Sequence, residues 1–192
     1  MSLAVAILFG SVRTDRRGIR VARFLERQLA ERDHRPTMVD ALELRLPLLD
    51  RMYKEYPKGL APEHLERLAA LYRIADGFIV VSGEYNHGIP PALKNLLDHF
   101  LEEYFWRPSA IACYSAGAFG GVRAAMQLRM TLAELGMPSI PSLFPVPRVQ
   151  DALAEDGTGA DEAMRRRSAR FLGELEWYAR ALQRQRAEGT PY

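Results

Sequence analysis

The sequence predicts an α/β chain built on a doubly wound, five-stranded parallel sheet in the order 2-1-3-4-5, with helices on both faces in three layers. Two patterns and the length predict it. Short apolar runs alternate along the chain with stretches whose apolar residues recur at helical spacing, and such alternation implies parallel strands joined by right-handed crossovers. The runs are continuously apolar, as in strands covered on both faces. The length of 192 residues favours one unit at roughly 150 residues per domain, so residues 1–192 are read as a single domain.

Leu3 to Phe9 (LAVAILF) is the first strand, ending in Gly10-Ser11. Val21, Phe24, Leu25, Gln28 and Leu29 then trace one face of a helix. Thr37 to Asp40 is a short second strand, and the next twenty or so residues, with Pro47, Pro57, Gly59 and Pro62, read as a long loop. Leu65, Leu68, Ala69 and Tyr72 mark a second helix, closed by Asp76-Gly77 before the third strand, Phe78 to Val81. Leu93, Leu96, Leu97, Phe100, Leu101 and Tyr104 predict a helix that opens near Pro91 and runs to Arg107-Pro108. Ala110 to Tyr114 is the fourth strand, followed by a helix with the stripe Val122, Ala125, Met126, Leu132 and Leu135. Gly136-Met137-Pro138 stops it. Ser139 to Val146 is a fifth strand that Pro141 and Pro145 confine to a sheet edge. A polar loop, Asp151 to Ala160, precedes a last helix carrying Met164, Phe171, Leu175, Tyr178 and Leu182 and ending near Gly189.

Composition removes several function classes. Lys plus Arg is 26 against 24 for Asp plus Glu, a net charge of +2, too balanced for a chain whose main partner is a nucleic acid. The arginines of the last helix, Arg165, Arg166, Arg167, Arg170, Arg180, Arg184 and Arg186, are interspersed with Glu162, Glu174 and Glu176 and read as a solvated face. The longest apolar run falls far short of the roughly 20 residues of a membrane span, and no secretory signal is visible. The single cysteine, Cys113, excludes an intrachain disulfide and a cysteine metal cluster and suits a reducing cytoplasm.

In a sheet of this order, ligands bind outside the carboxyl ends of the strands, where the loops after strands one, three and four converge. The first loop, Gly10 to Gly18, places Ser11, Thr14 and the arginines at a helix N-terminus; it reads equally as a phosphate cradle or as a solvated basic turn. It matches neither nucleotide signature, G-x-x-x-x-G-K-[ST] or G-x-G-x-x-G. In the second loop, Gly83 to Pro91, an aromatic beside an amide and a glycine suits a planar heterocycle, whereas Tyr85 packed on the sheet edge and Asn86 capping a turn is the plainer alternative. His87 has no partner at metal-ligand spacing and reads as a loop residue meeting a ligand through its backbone. The third loop, Ser115 to Gly121, frees backbone N–H groups for acceptors on a ligand or simply turns the chain into a helix. Without G-x-S-x-G, Ser115 is a poor hydrolase nucleophile.

Taken together, G-S-V-R at 10 to 13, G-E-Y-N-H-G-I-P-P-A-L-K-N at 83 to 95 and S-A-G-A-F-G-G at 115 to 121 resemble the NADPH-dependent FMN reductase family, flavodoxin-like proteins that include azo and quinone reductases. The likeness runs from about residue 3 to about 147. It implies that Ser11, Arg13, Arg16 and the backbone at Gly18 and Ile19 hold the FMN phosphate. Glu84, Tyr85, Asn86 and His87 would line the isoalloxazine ring, with Ser115, Gly117 and Gly120 on its other side. Members often carry Ser where Arg16 stands, and Pro rather than Gly83 before the Glu-Tyr-Asn triplet.

The resemblance also implies that FMN carries the chemistry, with no catalytic side chain and no metal. Hydride would come from NADPH or NADH, and electrons would leave to a small-molecule acceptor: a quinone, an azo compound, a metal oxyanion or free flavin. Members are typically homodimers or homotetramers whose neighbouring subunit completes the flavin pocket, which makes Lys94, Asp98 and Tyr104 interface candidates, with an exposed Lys94–Asp98 i,i+4 pair as the equal alternative. The competing expectation is a flavodoxin-type FMN electron carrier without NAD(P)H turnover. Carriers of that kind are usually strongly acidic, and a pI of about 8.8 disfavours one. A third alternative is a flavin-free phosphate-binding protein with an interaction role.

Overall fold

The computed structural model describes residues 2–192. Five parallel strands, β1 (Ala4–Phe9), β2 (Arg35–Asp40), β3 (Gly77–Ser82), β4 (Ser109–Tyr114) and β5 (Ser139–Val146), lie in the order β2-β1-β3-β4-β5. Period-two alternation divides the strand side chains between two cores. Val5, Ile7 and Phe9 of β1, with Ile79 and Val81 of β3, face α1 (Ile19–Ala30) and α7 (Glu162–Glu188). Ala6, Leu8, Phe78 and Val80 point the other way, toward α3 (Glu63–Ile74), α4 (Pro91–Asp98) and α5 (Val122–Glu134). Every side chain of β3 and β4 is buried, the condition that yields continuous apolar runs.

Strand β5 lies at the edge as expected. Its register on β4 slips between Ser109 and Ile111, beside Pro141, where a ladder N–H is missing. Arg129 of α5 donates to the carbonyls of Ile140 (3.1 Å) and Pro141 (2.5 Å) at that slip.

Several expectations need correction. The helix after β3 stops at Asp98 and does not run to Arg107. The His99 carbonyl is taken by the Tyr53 N–H at 2.8 Å, its Nδ1 lies 2.7 Å from Asn95 O, and Leu101 leaves helical dihedrals. A 3-10 turn at Glu102–Tyr104 then returns Tyr104 to the core against Tyr72 and Phe78, where it is fully buried and is no interface residue, while Lys94 and Asp98 pair with each other along α4. The long loop contains α2 (Ala41–Leu44), capped by Asp40 Oδ1 accepting from Leu42 N at 2.9 Å, and a 3-10 turn at Tyr53–Glu55. Past β5, a short helix α6 (Val149–Ala152) with Val149 buried runs into the segment read as a polar loop, so Asp151 and Ala152 are helical. Met126 is 47% exposed, because α5 turns Ala124, Ala125, Leu128 and Leu132 inward instead. Among the described residues no helix is long and apolar enough to cross a membrane.

Candidate active site

The loops leaving β1, β3 and β4 meet at the carboxyl edge of the sheet around a cleft of about 360 Å³. Ser11, Arg13, Asp15, Arg16 and Arg17 line one end, with Asp15 paired to Arg17. Glu84, Tyr85, Ser115, Ala116 and Val149 line the rest, with Tyr114 and Gly83 between. Strand β4 points Tyr114 toward the α1 side, and two glycines make room for it. A Cβ on Gly18 would stand 1.9 Å from Tyr114 Cζ, and one on Gly83 would stand 3.2 Å from the same atom. A side chain at position 83 would crowd the Tyr114 ring. Burial pushes the Tyr114 phenol up to about 12, against the lowering effect of its hydrogen bond with Ser11 and of the Arg13 and Arg16 charges. It is therefore a neutral hydroxyl at neutral pH.

Within the first loop, Ser11 is buried and Arg13 exposed. Arg16 Nη1 reaches both carboxylate oxygens of Asp40, 2.6 Å from Oδ1, and its guanidinium lies 5.7 Å from the Phe9 ring centroid. Asp40 is 4% exposed, so this pair joins the end of β2 to the start of α1. The Ile19 N–H donates to Arg16 O at 3.0 Å and is already committed. Gly18 is buried beneath Tyr114 and does not line the cleft.

In the second loop, Glu84 acts as a helix cap across the site. Its Oε2 accepts from the N–H groups of Arg123 (3.0 Å) and Ala124 (3.3 Å), and its Oε1 from Arg123 Nη1 (2.9 Å). Burial raises the Glu84 carboxyl, but these donors outweigh it and hold the group below its usual 4.5. Tyr85 and Gly88 exchange backbone hydrogen bonds of 3.1 and 2.8 Å across a tight turn. Asn86 and His87 occupy its two positive-φ positions, 49° and 67°, the pattern of a type I′ turn. Both are exposed at its tip and do not line the cleft. The Tyr85 hydroxyl is buried and has no hydrogen-bond partner.

The third loop is braced by Ser115. Its Oγ donates to Gly117 O at 3.0 Å and accepts from the Gly120 N–H at 2.9 Å. The Ser115 N–H donates to Val146 O at the end of β5 (3.2 Å), its carbonyl accepts from Val149 N (3.1 Å), and the Gly117 carbonyl accepts from Arg148 N (3.0 Å). Gly117 is exposed on the loop's outer side, whereas Ala116 reaches the cleft. Of the residues singled out from sequence, Ser11, Arg13, Arg16, Glu84, Tyr85 and Ser115 come together at the cleft. Gly18, Ile19, Asn86, His87, Gly117 and Gly120 shape the surrounding loops. Arg17 joins the cleft residues as one of the first-loop arginines, whereas sequence reading missed Asp15, Tyr114, Ala116 and Val149. Only Tyr114 carried a signal, as the last residue of a buried strand with glycines in both facing loops.

Residues 3–151 match the family described as NADPH-dependent FMN reductase. An NAD(P)H-dependent FMN reductase from Nectria sp is 33% identical over 135 residues, which are 67% of this chain and 66% of that protein. A quinone reductase from Pseudomonas putida is 33% identical over 141 residues, 70% of this chain and 72% of that protein. Among solved structures, the NAD(P)H:(acceptor) oxidoreductase FerB from Paracoccus denitrificans superposes with a TM-score of 0.72 at 23% identity, covering 93% of this chain and 98% of its own, a likeness of fold. The strand order is that of flavodoxin-like proteins. On the match over residues 3–151, the chain belongs to the NADPH-dependent FMN reductase family.

Proposed function

We propose that the chain is an FMN-dependent NAD(P)H oxidoreductase that passes electrons to a small planar acceptor of the quinone type. The observation that carries this reading is the cleft itself, basic at one end and aromatic at the other, over the neutral phenol of Tyr114. FMN has the same two-ended chemistry, a phosphate dianion and a flat heterocycle. When bound, FMN accepts hydride from a reduced nicotinamide and releases the electrons to an acceptor.

The residues present fit that group. Ser11, Arg13 and Arg17 offer donors to the phosphate at the basic end. Arg16, its charge balanced by Asp40, offers its remaining N–H donors from a fixed place. Tyr85 brings a buried hydroxyl that lacks a partner, an unmet bond that a ring oxygen or nitrogen would satisfy. Glu84 keeps the Tyr85 loop tied to α5, and Ser115 holds the opposite loop open. Asn86, His87, Gly117 and Gly120 serve by loop shape. No side chain of the chain need donate or take a proton in the hydride step.

The proposal includes a homodimer or homotetramer. An apolar groove of about 510 Å³ runs beside the cleft, from Val12 and Ala41 past Leu46 and Leu48 to Ala92 and Leu96 of α4, and Leu48 is 84% exposed there. A second copy laid on this groove would bury it and wall the adjacent cleft. A buried thiol at Cys113, raised to about 12 by burial and by nearby Glu84, is compatible with a reducing cytoplasm. Titration of the flavin-free chain with FMN and with riboflavin tests the site. FMN binding at least about tenfold tighter than riboflavin is expected from phosphate contacts; equal affinities, or no binding of either, would contradict it.

A further inference from the structure

The arginines near the first loop do not all turn toward the cleft. Arg16, Arg17, Arg20 and Arg23 line a second hollow, of about 190 Å³, on the outer side of α1, with Thr14 and Glu155. It adjoins the first: Asp15, Arg16 and Arg17 border both. Two of its guanidiniums place Nη1 on uncharged acceptors. Arg20 Nη1 donates to Gln150 O (3.0 Å) and Leu153 O (2.9 Å), and Arg23 Nη1 donates to Glu155 O (2.7 Å). A carbonyl satisfies a donor without neutralising its charge. The carboxylates in the hollow are Asp15, held by Arg17 at 3.0 Å, and Glu155, whose 90% exposed side chain lies 3.8 Å from Arg20. Ion pairs that exposed are worth little, so an incoming dianion displaces them at small cost. Forked guanidiniums in such a hollow match phosphate oxygens.

We infer that Arg20 and Arg23, with Arg17, form a second phosphate subsite, built for a phosphate borne by adenosine while a flavin phosphate occupies the cleft. The inference rests on the flavin reading above and names the group held beyond it. One chemistry here has two sources. In flavin adenine dinucleotide the adenosine phosphate is joined directly to the flavin phosphate, across the shared wall of Asp15 to Arg17. In NADPH the corresponding group is the 2′-phosphate, brought in when the nucleotide docks on the FMN-loaded protein.

Arg23→Ala separates the sources, since Arg23 is exposed and its loss leaves both Arg20 anchors in place. The flavin-free chain is titrated with FMN and with flavin adenine dinucleotide, and the FMN-loaded chain with NADPH and with NADH. A rise of about tenfold in Kd for flavin adenine dinucleotide, with FMN unmoved, supports the subsite and assigns it to the flavin dinucleotide. The same rise for NADPH, with NADH unmoved, supports it and assigns it to the reductant. Glu155→Gln is expected to move the affected affinity the opposite way. No change for either pair, or equal losses within a pair, overturns the subsite without overturning the flavin reading. Failure of the wild-type chain to bind FMN overturns the flavin reading and the subsite with it.

Discussion

Tyr114 occupies the space that a side chain on Gly18 would need: a Cβ there would lie 1.9 Å from Tyr114 Cζ and 2.3 Å from its hydroxyl oxygen. The start of α1 and the end of β4 are fitted to one another through a missing methyl group, and the basic end of the cleft is built on that fit. Gly18→Ala must displace Tyr114 or lift the first loop. A loss of about 1–3 kcal/mol in stability, measured by chemical denaturation, is expected together with weaker FMN retention. Adding Tyr114→Ala should recover part of the stability lost, giving a non-additive double-mutant cycle.

Glu84 gives a pH-dependent prediction. Its folded carboxyl lies below the usual 4.5, so it contributes stability that is present above the unfolded value and lost as pH falls through the folded one. Glu84→Gln should therefore cost about 1 kcal/mol at pH 7. The gap between variant and wild type should close on acidification below about 4.5. Parallel denaturation curves across that range, with the gap unchanged, would exclude the cap as its source.

Tyr85→Phe should act with opposite signs on two observables. Removing a buried hydroxyl without a partner leaves the flavin-free chain as stable as before or more so by about 1 kcal/mol. FMN affinity should fall. A loss of stability in the flavin-free chain would show that the hydroxyl already serves the fold.

Arg16→Ala leaves buried Asp40 without its cation. The Arg16 side chain is 20% exposed and that of Asp40 only 3%, and removing one partner of a largely buried pair is expected to cost about 2–4 kcal/mol. The double variant with Asp40→Asn should be more stable than Arg16→Ala alone. If the single variant keeps full stability and loses only FMN affinity, Arg16 is a phosphate ligand first and a structural residue second.

Much of this was legible beforehand because burial on both faces leaves a strong trace: β3 and β4 read directly as apolar runs, and Pro141 and Pro145 marked the edge strand. The end of α4 was not legible. Phe100 and Tyr104 keep the helical spacing and remain buried, yet they reach the core through a 3-10 turn after the Tyr53 N–H takes the His99 carbonyl. That contact spans 46 residues of sequence. The cleft divides in the same way. Loop residues next to glycine stood out, whereas the partners of Arg16 and Glu84, namely Asp40 and Arg123, lie 24 and 39 residues away and leave no local pattern. Tyr114 looked like one more strand residue until Gly18 and Gly83 were brought against it.

The most direct measurement is the visible spectrum of the FMN-loaded chain when NADPH is added without oxygen, followed by addition of a quinone such as menadione. A flavin reductase bleaches on NADPH, regains its yellow colour with the quinone and repeats the cycle in steady state. Retained colour that NADPH does not bleach would make the chain an electron carrier, and a chain that holds no FMN would contradict the assignment of the cleft.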